Sequence, residues 1–177
     1  MVRKASLSLV FIIVFIFMIA FLLPKKNLVY FIQEQFQTSQ ILLSFDTIDE
    51  YNFGVEIKNL KLHLDKVLLL NSKNTSITSL IIYNKIALKR IVLSDIAKEF
   101  LPQHVEYIIF KSSLLNFLKI TFKAKGEFGK MQGFVDIMAR KIFIVLTPSV
   151  IMKKRYFRTL QYFTQKKNGK LVYEYSD

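Results

Sequence analysis

Residues 7–23 read LSLVFIIVFIFMIAFLL, with no charged side chain and no Gly, Pro, Asn or Gln. Counted from Ala5, the apolar run is 19 residues long. At about 1.5 Å per helical residue it covers roughly the 30 Å hydrocarbon layer of a bilayer. The reading is a transmembrane helix anchored through Leu7, Phe11, Phe15, Phe17, Phe21 and Leu23. A cleaved signal peptide competes, because Arg3 and Lys4 precede the run. The run is longer than the usual apolar region of about 7 to 15 residues, and it ends at Ala20-Phe21-Leu22-Leu23-Pro24 without alternating small residues. An uncleaved anchor is therefore expected, with residues 1–4 as a cytoplasmic tail, 5–24 as the membrane anchor and 25–177 as a periplasmic β-rich domain.

The flanks barely orient such an anchor, since Arg3 and Lys4 on one side face Lys25 and Lys26 on the other. Long following domains translocate largely regardless of charge, which places the body outside. The run has no small-xxx-small face, so close pairing of two such helices is not indicated.

About 150 residues remain after the anchor, enough for one ordinary domain with its own core. They are rich in Ile, Leu, Phe and Tyr, and with only 5 Gly and 3 Pro in the chain a disordered tail is not expected. Cysteine is absent, which excludes disulfides, thiolate metal sites and cysteine nucleophiles. The net charge is +13. Such an excess can attract anionic headgroups or nucleic acid, but the lysines are spread along the chain as a compositional habit, and no nucleic-acid partner is expected.

Residues 25–37 place Leu28, Phe31, Ile32 and Phe36 at helical spacing. From Ser39 the period shifts toward two. Residues 40–45 read as a strand, and Val55 and Ile57 alternate in one phase, Leu60, Leu62 and Leu64 in the other. That slip predicts a bulge or bend near Asn59. A strand at 67–70 is followed by a turn at Asn71-Ser72-Lys73-Asn74, then a hairpin of 77–83 and 86–93 around Asn84-Lys85. Ser94-Asp95 caps a single helical turn that stops before Pro102. Residues 105–110 and 114–124 return to strand, with Leu118, Ile120, Phe122 and Ala124 on one face and Lys119, Thr121, Lys123 and Lys125 on the other. One wet and one buried face favours an antiparallel sheet.

Gly126, Gly129 and Gly133 flank a turn, since their spacing fits neither the Walker nor the dinucleotide loop. Residues 134–139 and 142–147 form the next hairpin, across Arg140-Lys141. Pro148-Ser149 opens a helix to about Thr164, with Met152, Tyr156, Leu160 and Phe163 along one stripe. Its opposite face carries Lys153, Lys154, Arg155 and Arg158, a candidate contact for anionic lipid. A last strand follows Gly169.

No catalytic signature is present. His63 and His104 are isolated, and Asp46, Asp49 and Glu50 lack the alternation of a calcium loop, so no metal, cofactor or enzymatic activity is expected. Asn74-Thr75-Ser76 is a sequon without further support.

The segment LLPKKNL at 22–28, and the block made of G-x-x-x-G-F-V-D-I at 129–137, L-T-P-S at 146–149, the helix with Leu160 and Phe163, and N-G-K-L-V-Y at 168–173, resemble the type II secretion protein N family. That family is similar to a short form of the AsmA-like envelope proteins. The resemblance covers about a third of the chain, through structural and not catalytic motifs. It implies a single-span inner-membrane protein with a periplasmic β-rich body.

The expected fold class is an amino-terminal transmembrane helix plus a mainly β (α+β) body: a curved antiparallel sheet of eight to ten strands, a short amino-terminal helix, and a carboxy-terminal helix before the last strand. The expected function is that of a non-enzymatic accessory subunit of an envelope-spanning apparatus, of type II secretion or a related secretion, transformation or motor machine. Its partners would be membrane lipids and proteins of that complex. The alternative is an AsmA-like lipid-binding or lipid-transfer module. The two differ physically: a lipid carrier keeps an apolar groove open in the folded monomer, whereas a scaffold closes its core and docks partners by strand addition.

Overall fold

The computed structural model describes residues 25–37, 41–80, 83–113, 118–166 and 169–176. Helix α1 (Lys25–Gln37) leads into strands β1 (Ile41–Ser44), β2 (Thr47–Tyr51), β3 (Gly54–Leu64), β4 (Val67–Leu80) and β5 (Tyr83–Leu93). A 3-10 turn at Ala97–Glu99 precedes β6 (His104–Ser113), β7 (Lys119–Gly126), β8 (Gly129–Asp136) and β9 (Lys141–Pro148). Two short helices, α2 (Val150–Arg155) and α3 (Phe157–Leu160), and the two-residue β10 (Thr164–Gln165) come before β11 (Leu171–Ser176). All eleven strands belong to one antiparallel sheet, in the order β1-β3-β4-β5-β6-β7-β8-β9-β11-β10, with β2 also on the free edge of β3. From β3 to β9 each strand pairs with the next in sequence.

The fold class read from the sequence is corrected. Among the described residues the protein is mostly antiparallel sheet with a few short helices, and no helix is long and apolar enough to cross a membrane. The anchor assigned to residues 7–23, with Leu7, Phe11, Phe15, Phe17, Phe21 and Leu23, lies outside the described residues. The α+β assignment fails at the carboxy-terminal helix, which breaks at Tyr156 (φ −119°, ψ 32°). Its stripe nevertheless reaches the core: Met152 is fully buried, and Tyr156, Leu160 and Phe163 pack against the same cluster.

The inward face of α1 also differs from the expected stripe. Of the side chains described in α1, Val29 is buried while Phe31, expected on the inward stripe, is exposed. Four residues after Val29, Gln33 donates from Nε2 to the Leu43 carbonyl at 2.9 Å. A polar side chain that satisfies a strand carbonyl takes a place on the inward face that apolar spacing does not foresee; of the expected stripe, Leu28, Ile32 and Phe36 have side chains outside those described.

The phase slip at Asn59 is real, and it crosses four strands. Asn59 and Arg90 both have φ of 53°, and the pairs Ile57/Leu60, Thr75/Ser72, Leu88/Ile91 and Ile108/Val105 all face the core three residues apart. Asn59 tolerates the left-handed conformation because Asn does so more readily than most residues, and its Nδ2 donates to Asp46 Oδ2 at 2.6 Å. No residue is inserted there; the register shift of β3 lies at Leu62/His63. The kink runs straight through the turn expected at Asn71–Asn74, which is the interior of the 14-residue β4. Likewise Leu80 pairs with Tyr83, so that hairpin closes before Asn84.

Candidate functional site

Antiparallel pairing sorts the side chains of the sheet into rows, because directly paired residues point to the same face. One face is apolar. Its first row runs Ile57, Thr75, Leu88, Ile108, Ala124, Met131, Leu146 and Leu171 across eight strands. The next runs Val55, Ile77, Ile86, Phe110, Phe122, Gly133, Ile144 and Tyr173.

Two lids cover parts of this face. Around Val29, α1 seals Val55 and Ile57, with Phe45, Ile48 and Ile77 at its margin. Around Met152, α2 and α3 seal Leu88, Ile91, Val105, Ala124, Phe128 and Leu146. Ser149 fixes the second lid: its Oγ accepts from the Met152 N–H at 3.1 Å as a helix cap and donates to the Glu127 carbonyl. Thr159 donates to the Phe100 carbonyl at 2.8 Å and ties α3 to the loop before β6.

Among the described residues, no helix covers a strip of the same face between the lids. Ile86 is 38% and Phe110 36% exposed, and the half-buried Phe122, Ile120, Val135 and Ile142 continue it toward the strand ends. The Phe110 and Phe122 rings meet at 6.3 Å in a tilted pair. Phe122 spreads over Gly133, where a Cβ would come within 2.9 Å of its ring, so the glycine keeps the strip flat beneath the ring. A contiguous apolar surface left bare by two sealed clusters is the arrangement that marks an interaction face.

The opposite face is basic. Lys85, Lys111 and Lys123 stand in its middle strands; its acids include Asp49 and Glu56 at the β2–β3 edge, Asp136 at the end of β8 and Glu174 on β11. A shallow groove of about 290 Å³ crosses this face, floored by Ile109, Phe134, Phe143 and Val145 and edged by Lys111 and Lys123. Phe134 and Phe143 stack at 5.5 Å, with the Lys119 ammonium 4.0 Å above Phe134. Elsewhere charges are matched: Lys125 lies 2.6 Å from Glu106 and Lys141 2.5 Å from Glu174. The hydrogen bond to Glu106, then its charge, pushes the Lys125 ammonium up from its ordinary range; the hydrogen bond from Lys141, then its charge, holds the Glu174 carboxyl down.

Lys153, Lys154, Arg155 and Arg158 are exposed on the outer side of α2 and α3, away from the open strip's floor. The acidic residues 46, 49 and 50 serve the sheet edge, Asp46 bonding Asn59 and Asp49 pairing with Lys58 at 3.4 Å. His63 is half-buried with an unpartnered Nδ1, and His104 sits 3.5 Å from Glu127. Among the described residues no group of three or more His, Asp or Glu could hold a metal.

The alternation of β7 exposed one face of the strip to sequence reasoning; which part of that face the helices leave bare did not show. The exposed pair Ile137 and Met138 lies in a turn and not in the strand expected over 134–139; the turn was hidden because Ile137–Arg140 contains no Gly, Pro or Asn to signal it. Asp136 makes it a turn by accepting the Ala139 N–H at 2.9 Å, and Arg140 supplies the positive φ of 45°.

Fold and site together define an antiparallel meander with one largely apolar face, lidded at two places among the described residues, and a basic face crossed by an apolar groove. No protein-family model, curated protein or solved structure matches the chain.

Proposed function

We propose that this protein is a non-enzymatic lipid-binding module of AsmA-like kind, acting at the periplasmic face of the inner membrane. The observation that carries this reading is the open strip around Ile86, Phe110 and Phe122. An acyl chain laid on these aromatic and branched side chains would remove from water the surface that the two helical lids leave uncovered.

The experiment replaces Phe110 in the full chain with a photoreactive phenylalanine analogue and identifies the crosslinked species by mass spectrometry, alongside lipid retained by Phe110→Glu after mild detergent extraction. A lipid adduct at position 110, with less lipid retained by Phe110→Glu, is expected. No lipid adduct, with equal retention by both proteins, overturns the reading.

A second reading, a subunit of an envelope apparatus, draws on the sheet edge. β10 pairs only with Leu171 and Val172, so residues 173–176 of β11 have no strand on that side among the described residues. Such an edge accepts an added strand. Stoichiometric co-purification of envelope proteins, lost on Tyr173→Pro, would favour it.

A further inference from the structure

We propose that the β8–β9 turn at Ile137–Arg140 is a membrane-docking tip, which enters the headgroup layer of an anionic phospholipid bilayer and brings the open end of the apolar strip against it. Met138 is 75% and Ile137 54% exposed, at a turn whose neighbours could have been polar at no cost to the sheet. The turn itself is well determined by the Asp136 cap and the Asp136–Lys141 pairing, so the two apolar side chains are held outward and not merely loose. Phe53, 46% exposed in the β2–β3 turn, projects from the same end of the strands.

Charge selects the occupant. Arg140 and Lys141 follow the tip, Lys119 stands one strand away opposite Asp136, and Lys111 and Lys123 line the face that leads to it. Of the nearby acids, Asp136 accepts a backbone N–H within the turn and Glu174 pairs with Lys141, so that pair cancels and Lys111, Lys119 and Lys123 supply the positive excess of this face. An apolar wedge backed by cations matches the layering of an anionic bilayer, where acyl chains lie beneath phosphates. It does not match an acidic protein surface, which offers no apolar layer below its charge. At the opposite end of the sheet the β3–β4 turn carries the charged pair Asp65-Lys66 between the exposed Leu64 and Val67, and the β7–β8 turn carries Glu127.

Continuity supports the same occupant. Val135 and Ile142, which pair beside the turn, belong to the open strip, so a tip seated among headgroups would put acyl chains at its mouth. In this respect the inference deepens the lipid-binding reading, yet the two fail separately.

The absence of cysteine makes the test direct. Met138→Cys and, as the control at the opposite end, Lys66→Cys are labelled in the full chain with an environment-sensitive fluorophore. Each protein is reconstituted into phosphatidylcholine vesicles with or without phosphatidylglycerol, some carrying a doxyl quencher on the acyl chain. The expected result is a blue shift and quenching at position 138 that grow with phosphatidylglycerol, no change at position 66, and loss of the effect at 138 when Lys111 and Lys123 are both changed to Glu. Solvent-like emission at 138, or equal quenching at both positions, overturns the proposal. If crosslinking at Phe110 still captures lipid in that case, the lipid-binding reading stands without the docking tip.

Discussion

Ser72 is fully buried in a largely apolar face, and its hydroxyl has a structural task. At the kink beside Arg90 it donates to the Asn74 carbonyl at 3.1 Å or the Lys89 carbonyl at 3.2 Å, and it accepts from Thr75 Oγ1 at 3.1 Å. Backbone carbonyls turned out of the ladder and away from water need such a partner. Ser72→Ala should therefore cost about 1 to 3 kcal/mol in urea unfolding, although it replaces a polar group in the core by an apolar one. The exposed ion pairs behave differently. Because Lys141 lowers the Glu174 carboxyl, this pair adds stability above the ordinary glutamate range and loses it as pH falls through the lowered value. Because Glu106 raises Lys125, that pair adds stability below the ordinary lysine range and loses it as pH rises through the raised value. Urea midpoints measured across pH should show the difference between wild type and Glu174→Gln closing on the acid side, and that for Lys125→Gln closing on the alkaline side, with both reduced by salt.

Among the elements, the second lid depends most on a single contact. α2 has six residues, too few to persist alone, so the Ser149 cap and the burial of Met152 must hold it together. Ser149→Ala should lower stability by about 1 kcal/mol and raise amide exchange across residues 150–160 before the sheet is affected, as hydrogen exchange with mass spectrometry can read. Elements of this kind were legible in the chain to different degrees. Pro148-Ser149 and the Met152–Phe163 stripe announced the helical segment, but nothing local announced its break at Tyr156. The alternation of residues 118–124 announced a two-faced strand. The turn at Ile137–Arg140 was hidden, because its signals are a side-chain cap and a strained arginine in place of Gly or Asn. The inward place of Gln33 on α1 was hidden too, since its hydrogen bond belongs to another element.

Across the whole molecule the two sealed clusters, around Val29 and around Met152, share one margin residue, Leu60, which packs against both. It stands just after the kink residue Asn59, so the bend that lets Ile57 and Leu60 face inward together also joins the two halves of the core. Leu60→Ala should cost roughly 2 kcal/mol and separate the unfolding of the α1 end from that of the α2 end. Exchange of β3 and of β9 amides at intermediate urea would then diverge, whereas in the wild type they should change together. Sequence alone determined the two-faced antiparallel strands, the phase slip at Asn59, the absence of thiol chemistry and the basic excess, because each depends on residue type at short spacing. Only the tertiary structure decided the eleven-strand order, the two lids and the bare strip between them. Those depend on which surfaces meet, and the same apolar alternation appears in a strand whether a helix covers it or nothing does.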